Sequence, residues 1–109
     1  MEIFKHGDMN IGWFVGDFPS AAFRTKAFEV CQRTHPRGEK WEAHYHKEAT
    51  EINLLIRGKM KVNDIELNSG DIFILSPYEV ASNITYIEDC EMVIIKTPSI
   101  PTDKFEAED

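Results

Sequence analysis

The sequence predicts an all-β domain, either a closed barrel or a two-sheet sandwich. Three observations predict it. Short strand-like runs recur along most of the chain, turn residues punctuate them, and only Pro19–Ala27 has a helical look, which is brief. There is no internal repeat and no low-complexity segment.

The runs, in order, are Ile11–Val15, Lys26–Thr34, Trp41–His46, Glu51–Ile56, Lys59–Val62, Ile65–Leu67, Asp71–Leu75, Val80–Ile87 and Glu91–Thr97. Pro36-Arg37-Gly38-Glu39 ends the second run, since proline withholds a ladder N–H and glycine turns easily. A short break from Lys47 to Thr50 separates the third from the fourth, and Arg57-Gly58-Lys59 turns the chain back into Met60-Lys61-Val62. Asn63-Asp64 reads as a two-residue hairpin, because both residue types tolerate the positive φ such loops require. Asn68-Ser69-Gly70 and Glu88-Asp89 supply two further turns. After Pro101 the chain is acidic and is expected to fray.

Bulk properties narrow the function. A chain of 109 residues is one domain, read as a core of about 24–98, an N-terminal arm 1–23 and an acidic tail 101–109. Its 42% hydrophobic content supports a modest core. The net charge of −7, with no basic run longer than a pair, argues against a nucleic-acid binder. No apolar stretch approaches the ~20 residues of a membrane helix, and the N-terminus does not read as a signal peptide. Cys31 and Cys90 do not make a disulfide framework; they read as buried free thiols in a cytoplasmic protein.

The chemistry is concentrated in one segment, Gly38-x5-His44-Tyr45-His46-x4-Glu51-x6-Gly58. In a strand, side chains two apart share a face, so His44 and His46 project together while Tyr45 faces away. Two imidazoles and the Glu51 carboxylate, brought together from neighbouring strands, would suit a divalent transition metal that keeps positions open for a ligand.

This spacing resembles the first signature motif of the cupin superfamily at all five fixed positions, both glycines included. The resemblance runs from about Gly38 to Pro98 and implies a jelly roll, the double-stranded β-helix barrel. The second cupin motif begins well at Gly70-Asp71 and then departs. Ser76 stands for its proline, Tyr78 for its glycine, Ala81 for its histidine and Thr85 for its asparagine. Pro77 lies one place late, and no histidine follows His46, so the fourth metal ligand of the family has no counterpart.

Strand parity then suggests a pocket. Asn53 and Leu55 share the face of Glu51, and Glu42 shares that of His44. If Ala81 occupies the inward position of the family's histidine, Asn83 and Thr85 point inward too, with Tyr78 at the barrel mouth. Glu42 is the parity-consistent candidate for a catalytic base. On the same parities Ile52, Leu54 and Ile56 face outward and need a cover, either the segment Ile11–Phe18 or a second subunit; a homodimer is expected.

The resemblance implies a small polar ligand, carbohydrate-like among the options, bound at a metal held by His44, His46 and Glu51. Nickel, zinc, iron and manganese all suit that donor set. Isomerase and dioxygenase chemistry are both represented among cupins. A non-catalytic ligand-binding or sensor cupin without metal is the alternative, and the absent fourth ligand speaks for it. Whether the chain is an enzyme is open at this point.

Overall fold

A computed structural model of the chain describes residues 1–108. Its strands are β1 (Trp13–Gly16), β2 (Phe23–Arg24), β3 (Glu29–His35), β4 (Lys40–Trp41), β5 (His44–Tyr45), β6 (Thr50–Arg57), β7 (Lys59–Val62), β8 (Ile65–Asn68), β9 (Ile72–Leu75), β10 (Ile84–Tyr86), β11 (Cys90–Thr97) and β12 (Phe105–Glu106). Among the described residues the one helical element is a 3-10 turn at His6–Asp8. The all-β expectation holds.

The strands form a six-stranded sheet in the order β2-β1-β3-β11-β6-β9, a four-stranded sheet β4-β10-β7-β8 and a two-stranded ribbon β12-β5. Every pairing is antiparallel except β1 with β2. The eight-residue strands β6 and β11 lie side by side, with Asn53 opposite Ile94 and Glu51 opposite Lys96. Alternation sorts their side chains. Glu51, Asn53 and Leu55 turn inward beside Met92 and Ile94, and all five are buried.

An apolar core fills one end of the barrel, where Leu55, Met60, Val62, Leu75, Ile84, Tyr86 and Met92 pack together and Trp41 and Phe73 lean against them. This burial needs neither His44 nor His46. Gly58 makes the β6–β7 reversal possible. Its φ is +111°, and a Cβ there would stand 2.4 Å from the Asp89 carbonyl oxygen and 2.9 Å from the Cys90 Cα, so only glycine fits. The Asn63-Asp64 hairpin forms with both residues at positive φ, +53° and +64°.

Some local readings fail. The stretch with helical character instead carries the short strand β2. The run Trp41–His46 splits into β4 and β5, with Ala43 and His44 both buried, so the alternation is broken between them. The run Val80–Ile87 shortens to Ile84–Tyr86 because Asn83 adopts φ +53° and offsets the residues after it. The tail does not fray: β12 pairs with β5, joining Phe105 to Tyr45 and Glu106 to His44, while Asp109 lies outside the described residues.

The outer face of the six-stranded sheet is apolar. Ile52 pairs across to Ile74 and Leu54 to Ile72, with Val93 and Ile95 on the far side. Ile72, Ile74 and Ile56 are 64%, 56% and 40% exposed. The N-terminal strand does not cover this face, since β1 joins the sheet edge-on beside β3.

Candidate metal and ligand site

The three metal-type residues converge. His44 sits on β5 and Glu51 on β6, His46 comes directly after β5, and one potential ligand atom from each lies within 4.8 Å of the others. All three side chains are buried. His44 is fixed from two directions. Its backbone exchanges hydrogen bonds of 3.1 and 2.9 Å with Ala81, and its Nδ1 lies 3.2 Å from the Glu42 carbonyl oxygen. A carbonyl can only accept, so Nδ1 carries the proton and Nε2 keeps its lone pair, the state a metal ligand needs. Asn53 Nδ2 donates to Glu51 Oε2 at 3.1 Å and orients that carboxylate.

His46 is the diagnostic residue. Its Nε2 is buried without a hydrogen-bond partner and stands 3.9 Å from Glu51 Oε1. Leaving a buried polar atom unsatisfied costs about 1–3 kcal/mol, so such an atom demands an explanation. Burial first, then the Lys96 charge and the neighbouring His44, lower its pKa to about 4, although Glu51 pulls the other way. Burial likewise lowers His44. Both rings are neutral at pH 7, and His44 Nε2 presents a lone pair toward the group that includes Glu51. The residues therefore fit a divalent ion, and could hold one, without protons having to be displaced from them.

The same shifts carry a consequence for the metal-free protein. His35, His44 and His46 are all depressed below the ordinary value, His35 chiefly by burial as well. Between the unfolded value near 6.5 and the lower folded values, the unfolded chain binds more protons, so stability rises with pH there. Chelator-treated protein should lose stability progressively as pH falls from about 6.5 toward 4. Urea midpoints at a series of pH values measure this, and His46→Gln should flatten the dependence.

The loop between His46 and Glu51 is held from the C-terminal end. The buried Asp103 carboxylate accepts backbone N–H groups of Lys47, Glu48 and Ala49 at 2.8, 3.0 and 2.8 Å. Burial alone would raise this carboxyl, and the three N–H donors outweigh that and hold it below the usual range. The segment expected to fray is the strap that shapes the site.

His44 and Glu51 open on a cavity of about 350 Å3, with His46 set back from its wall; the cavity is polar at the end formed by His44, Glu51 and Asn53 and apolar toward Met60, Val62 and Met92. Asn53 lies in it as parity predicts, and Ala81 lines it directly across from His44. Four other residues that parity places there do not, namely Asn83, Thr85, Glu42 and Tyr78. Asn83 is exposed at φ +53°, and the offset it introduces turns Ile84 and Tyr86 inward in place of Thr85. Glu42 is exposed and lies outside the main cavity, in an adjoining recess that shares Trp41, His44 and Lys104 with it. Tyr78 is 64% exposed and stacks at 6.1 Å on Tyr45, which stacks at 5.6 Å on Phe105. Tyr78 takes φ +69° where cupins carry glycine, and its N–H donates to the His46 carbonyl at 2.7 Å.

Sequence reasoning missed four cavity residues: Arg33, His35, Lys96 and Lys104. His35 is buried, stacked at 4.2 Å on Tyr86 and bonded through Nδ1 to the Glu39 carboxylate. Parity could have found the first three, because Arg33 and His35 alternate with buried Cys31, and Lys96 continues Met92 and Ile94.

Solved structures place this architecture. A protein with a double-stranded β-helix domain from Klebsiella pneumoniae superposes with a TM-score of 0.69 at 23% identity, over 78% of this chain and 74% of that one. KdgF from Halomonas sp. gives 0.63 at 18% identity, over 70% and 74%. Pac13 of Streptomyces, a nucleoside dehydratase, gives 0.62 at 16% identity, over 77% and 71%. The fold is that of the cupin superfamily. No protein-family model matches the chain, and no curated protein sequence does. In cupin terms, His44, His46 and Glu51 stand at the first motif's polar positions, and Gly58 is its closing glycine. Ala81 is bridged directly to His44, where the resemblance expects the histidine of the second motif.

Proposed function

We propose that this cupin binds a small polar molecule, carbohydrate-like in its hydroxyl or carbonyl oxygens, at a divalent metal held by His44, His46 and Glu51. The observation that carries the reading is the buried, unpartnered His46 Nε2 facing the Glu51 carboxylate beside a His44 whose Nε2 is also free to ligate. Nickel, zinc, iron and manganese all suit two imidazoles and a carboxylate. A bound ion would supply Lewis-acid polarisation of a ligand oxygen, the feature shared by isomerase-type and dioxygenase-type readings. The chain's own part is to fix both imidazoles as neutral, to orient Glu51 through Asn53 and to shelter the ligand from water in the cavity. A second reading, a binding or sensing module without metal, draws support from Ala81 at the fourth position and from Glu42 lying outside the cavity.

Titration of each ion into metal-free protein tests the proposal, with one equivalent expected and none under the second reading. An Ala81→His variant sharpens the test. Residues 44 and 81 are directly paired across strands, so a new imidazole would enter the ligand group and should tighten zinc binding at least tenfold, on the order of 1.4 kcal/mol or more. Unchanged affinity in a folded variant would show that the ion, if bound, sits elsewhere.

We also propose a homodimer built on the outer face that carries Ile52, Leu54, Ile72 and Ile74. Contiguous exposed aliphatics on a sheet of this size favour burial against a second copy. Sedimentation at micromolar concentration should give about twice 12.6 kDa, and a monomer would contradict it. The free, buried Cys31 and Cys90 support a reducing, cytoplasmic setting, and the acidic charge supports neither nucleic acid nor an anionic membrane as partner. Among the described residues no helix is long and apolar enough to cross a membrane.

A further inference from the structure

We propose that the ligand of this cavity is an anion, a small molecule whose carboxylate or phosphate is held by Arg33 and Lys104. Another of its oxygens would face His44 and Glu51, and that second contact alone rests on the metal reading above.

The chain as a whole is acidic, with 19 Asp and Glu against 12 Lys and Arg. Its cavity reverses that balance. Three cations, Arg33, Lys96 and Lys104, line it against two carboxylates, Glu29 and Glu51. A divalent ion would raise the excess further. Glu29 is already engaged, 3.7 Å from Lys96 Nζ and accepting the Ser99 hydroxyl at 2.8 Å. Among the described residues, no carboxylate oxygen comes within 4.0 Å of Arg33 or Lys104.

These two free cations share one aromatic ring. The Arg33 guanidinium carbon lies 4.6 Å and the Lys104 Nζ 4.8 Å from the centre of Trp41, while Lys96 Nζ lies 4.9 Å from that of Trp13. Arg33 Nε is buried with no hydrogen-bond partner. Holding like charges together in a partly desolvated cavity is unfavourable unless something negative joins them. Burial, Lys96 and Arg33 all push the Lys104 ammonium below its ordinary range, which registers the same crowding. A planar guanidinium and an ammonium group converging on one ring, Arg33 and Lys104, make a donor set that recognises a carboxylate or phosphate.

Register places this group next to the metal-type cluster. Lys96 is paired across strands with Glu51, and Arg33 lies on β3, which borders the same strand β11. Arg33 stands opposite Met92, four residues or roughly 13 Å along β11 from Lys96, so its long side chain and a ligand of about monosaccharide size together span the distance to Glu51. A cavity of about 350 Å3 accommodates it.

The two tryptophans of the chain, Trp13 and Trp41, both line the cavity, so intrinsic fluorescence reports on its potential whatever the ligand. At low ionic strength, iodide should quench wild-type fluorescence at least threefold more efficiently than neutral acrylamide, each normalised to free tryptophan. The excess should fall toward parity in Lys104→Gln and in the Arg33→Gln/Lys104→Gln double variant, and inorganic phosphate should suppress it. Parity in the folded wild-type protein would overturn the proposal. Calorimetry with glucuronate and its neutral counterpart glucuronamide should show at least a tenfold preference for the charged partner, and glucose 6-phosphate distinguishes phosphate from carboxylate. Equal binding of the charged and neutral pair would also overturn it. Iodide excess in protein that takes up no metal would sink the metal reading and leave the anion site standing. Metal uptake with no iodide excess would do the reverse.

Discussion

Replacing His44 and His46 together by alanine should abolish retention of a divalent ion and leave the barrel folded. The two halves of this expectation have separate causes. Metal affinity depends on the number of converging lone pairs, and the double variant leaves Glu51 as the single ligand. The expected loss is on the order of a thousandfold or more, well beyond the 10–100-fold typical of perturbing a supporting residue. The barrel's stability resides elsewhere, in the apolar end built on Leu55, Met60 and Met92. Truncating the histidines opens space, and it also removes the unsatisfied Nε2 of His46. These effects oppose each other, so the metal-free variant should stay within roughly 2 kcal/mol of the metal-free parent. Metal analysis and urea unfolding of both proteins measure the two halves. A variant that unfolds at pH 7 would show that the site is part of the core.

The second large effect should come from Asp103→Ala, a residue far in sequence from the motif. Three backbone N–H groups would lose their acceptor at once, one of them on the buried Ala49. At about 1.5 kcal/mol for each bond to a charged acceptor, the low end of the range for such bonds, the variant should lose about 3–5 kcal/mol. The loop Lys47–Ala49 sets the spacing between His46 and Glu51, so metal affinity should fall with stability. Asp103→Asn keeps one acceptor oxygen and should fall between the two. A stability change below roughly 0.5 kcal/mol would mean that water replaces the carboxylate without penalty and that the tail is not a strap.

The contrast between these residues explains how much was legible in the sequence. His44, His46, Glu51 and Gly58 announce themselves because their spacing is set by local geometry: a short strand, a turn and a second strand. Ala81 was located opposite His44 for the same reason, through the register of the second motif. Asn83 and Thr85 were misplaced because one left-handed residue offsets a strand, and nothing in Ser82-Asn83-Ile84 marks it in advance beyond asparagine's tolerance of positive φ. Glu42 failed for a related reason, since the chain breaks between β4 and β5 and strict alternation ends there. Asp103 and Lys104 could not be read at all. Their roles exist through contacts with residues some fifty positions earlier, in a tail whose composition suggests nothing but solvation. The cationic wall fell between these cases, legible on β3 and β11 by parity and hidden in the tail.

The measurement that bears most directly on the central claim is the metal content of untagged protein purified without chelator, then incubated with nickel, zinc, iron or manganese and desalted. The account predicts about one equivalent of one of these ions per chain, absent from the His44→Ala/His46→Ala variant. Less than about a tenth of an equivalent with every ion would contradict it and leave a cupin barrel that binds its ligand without metal.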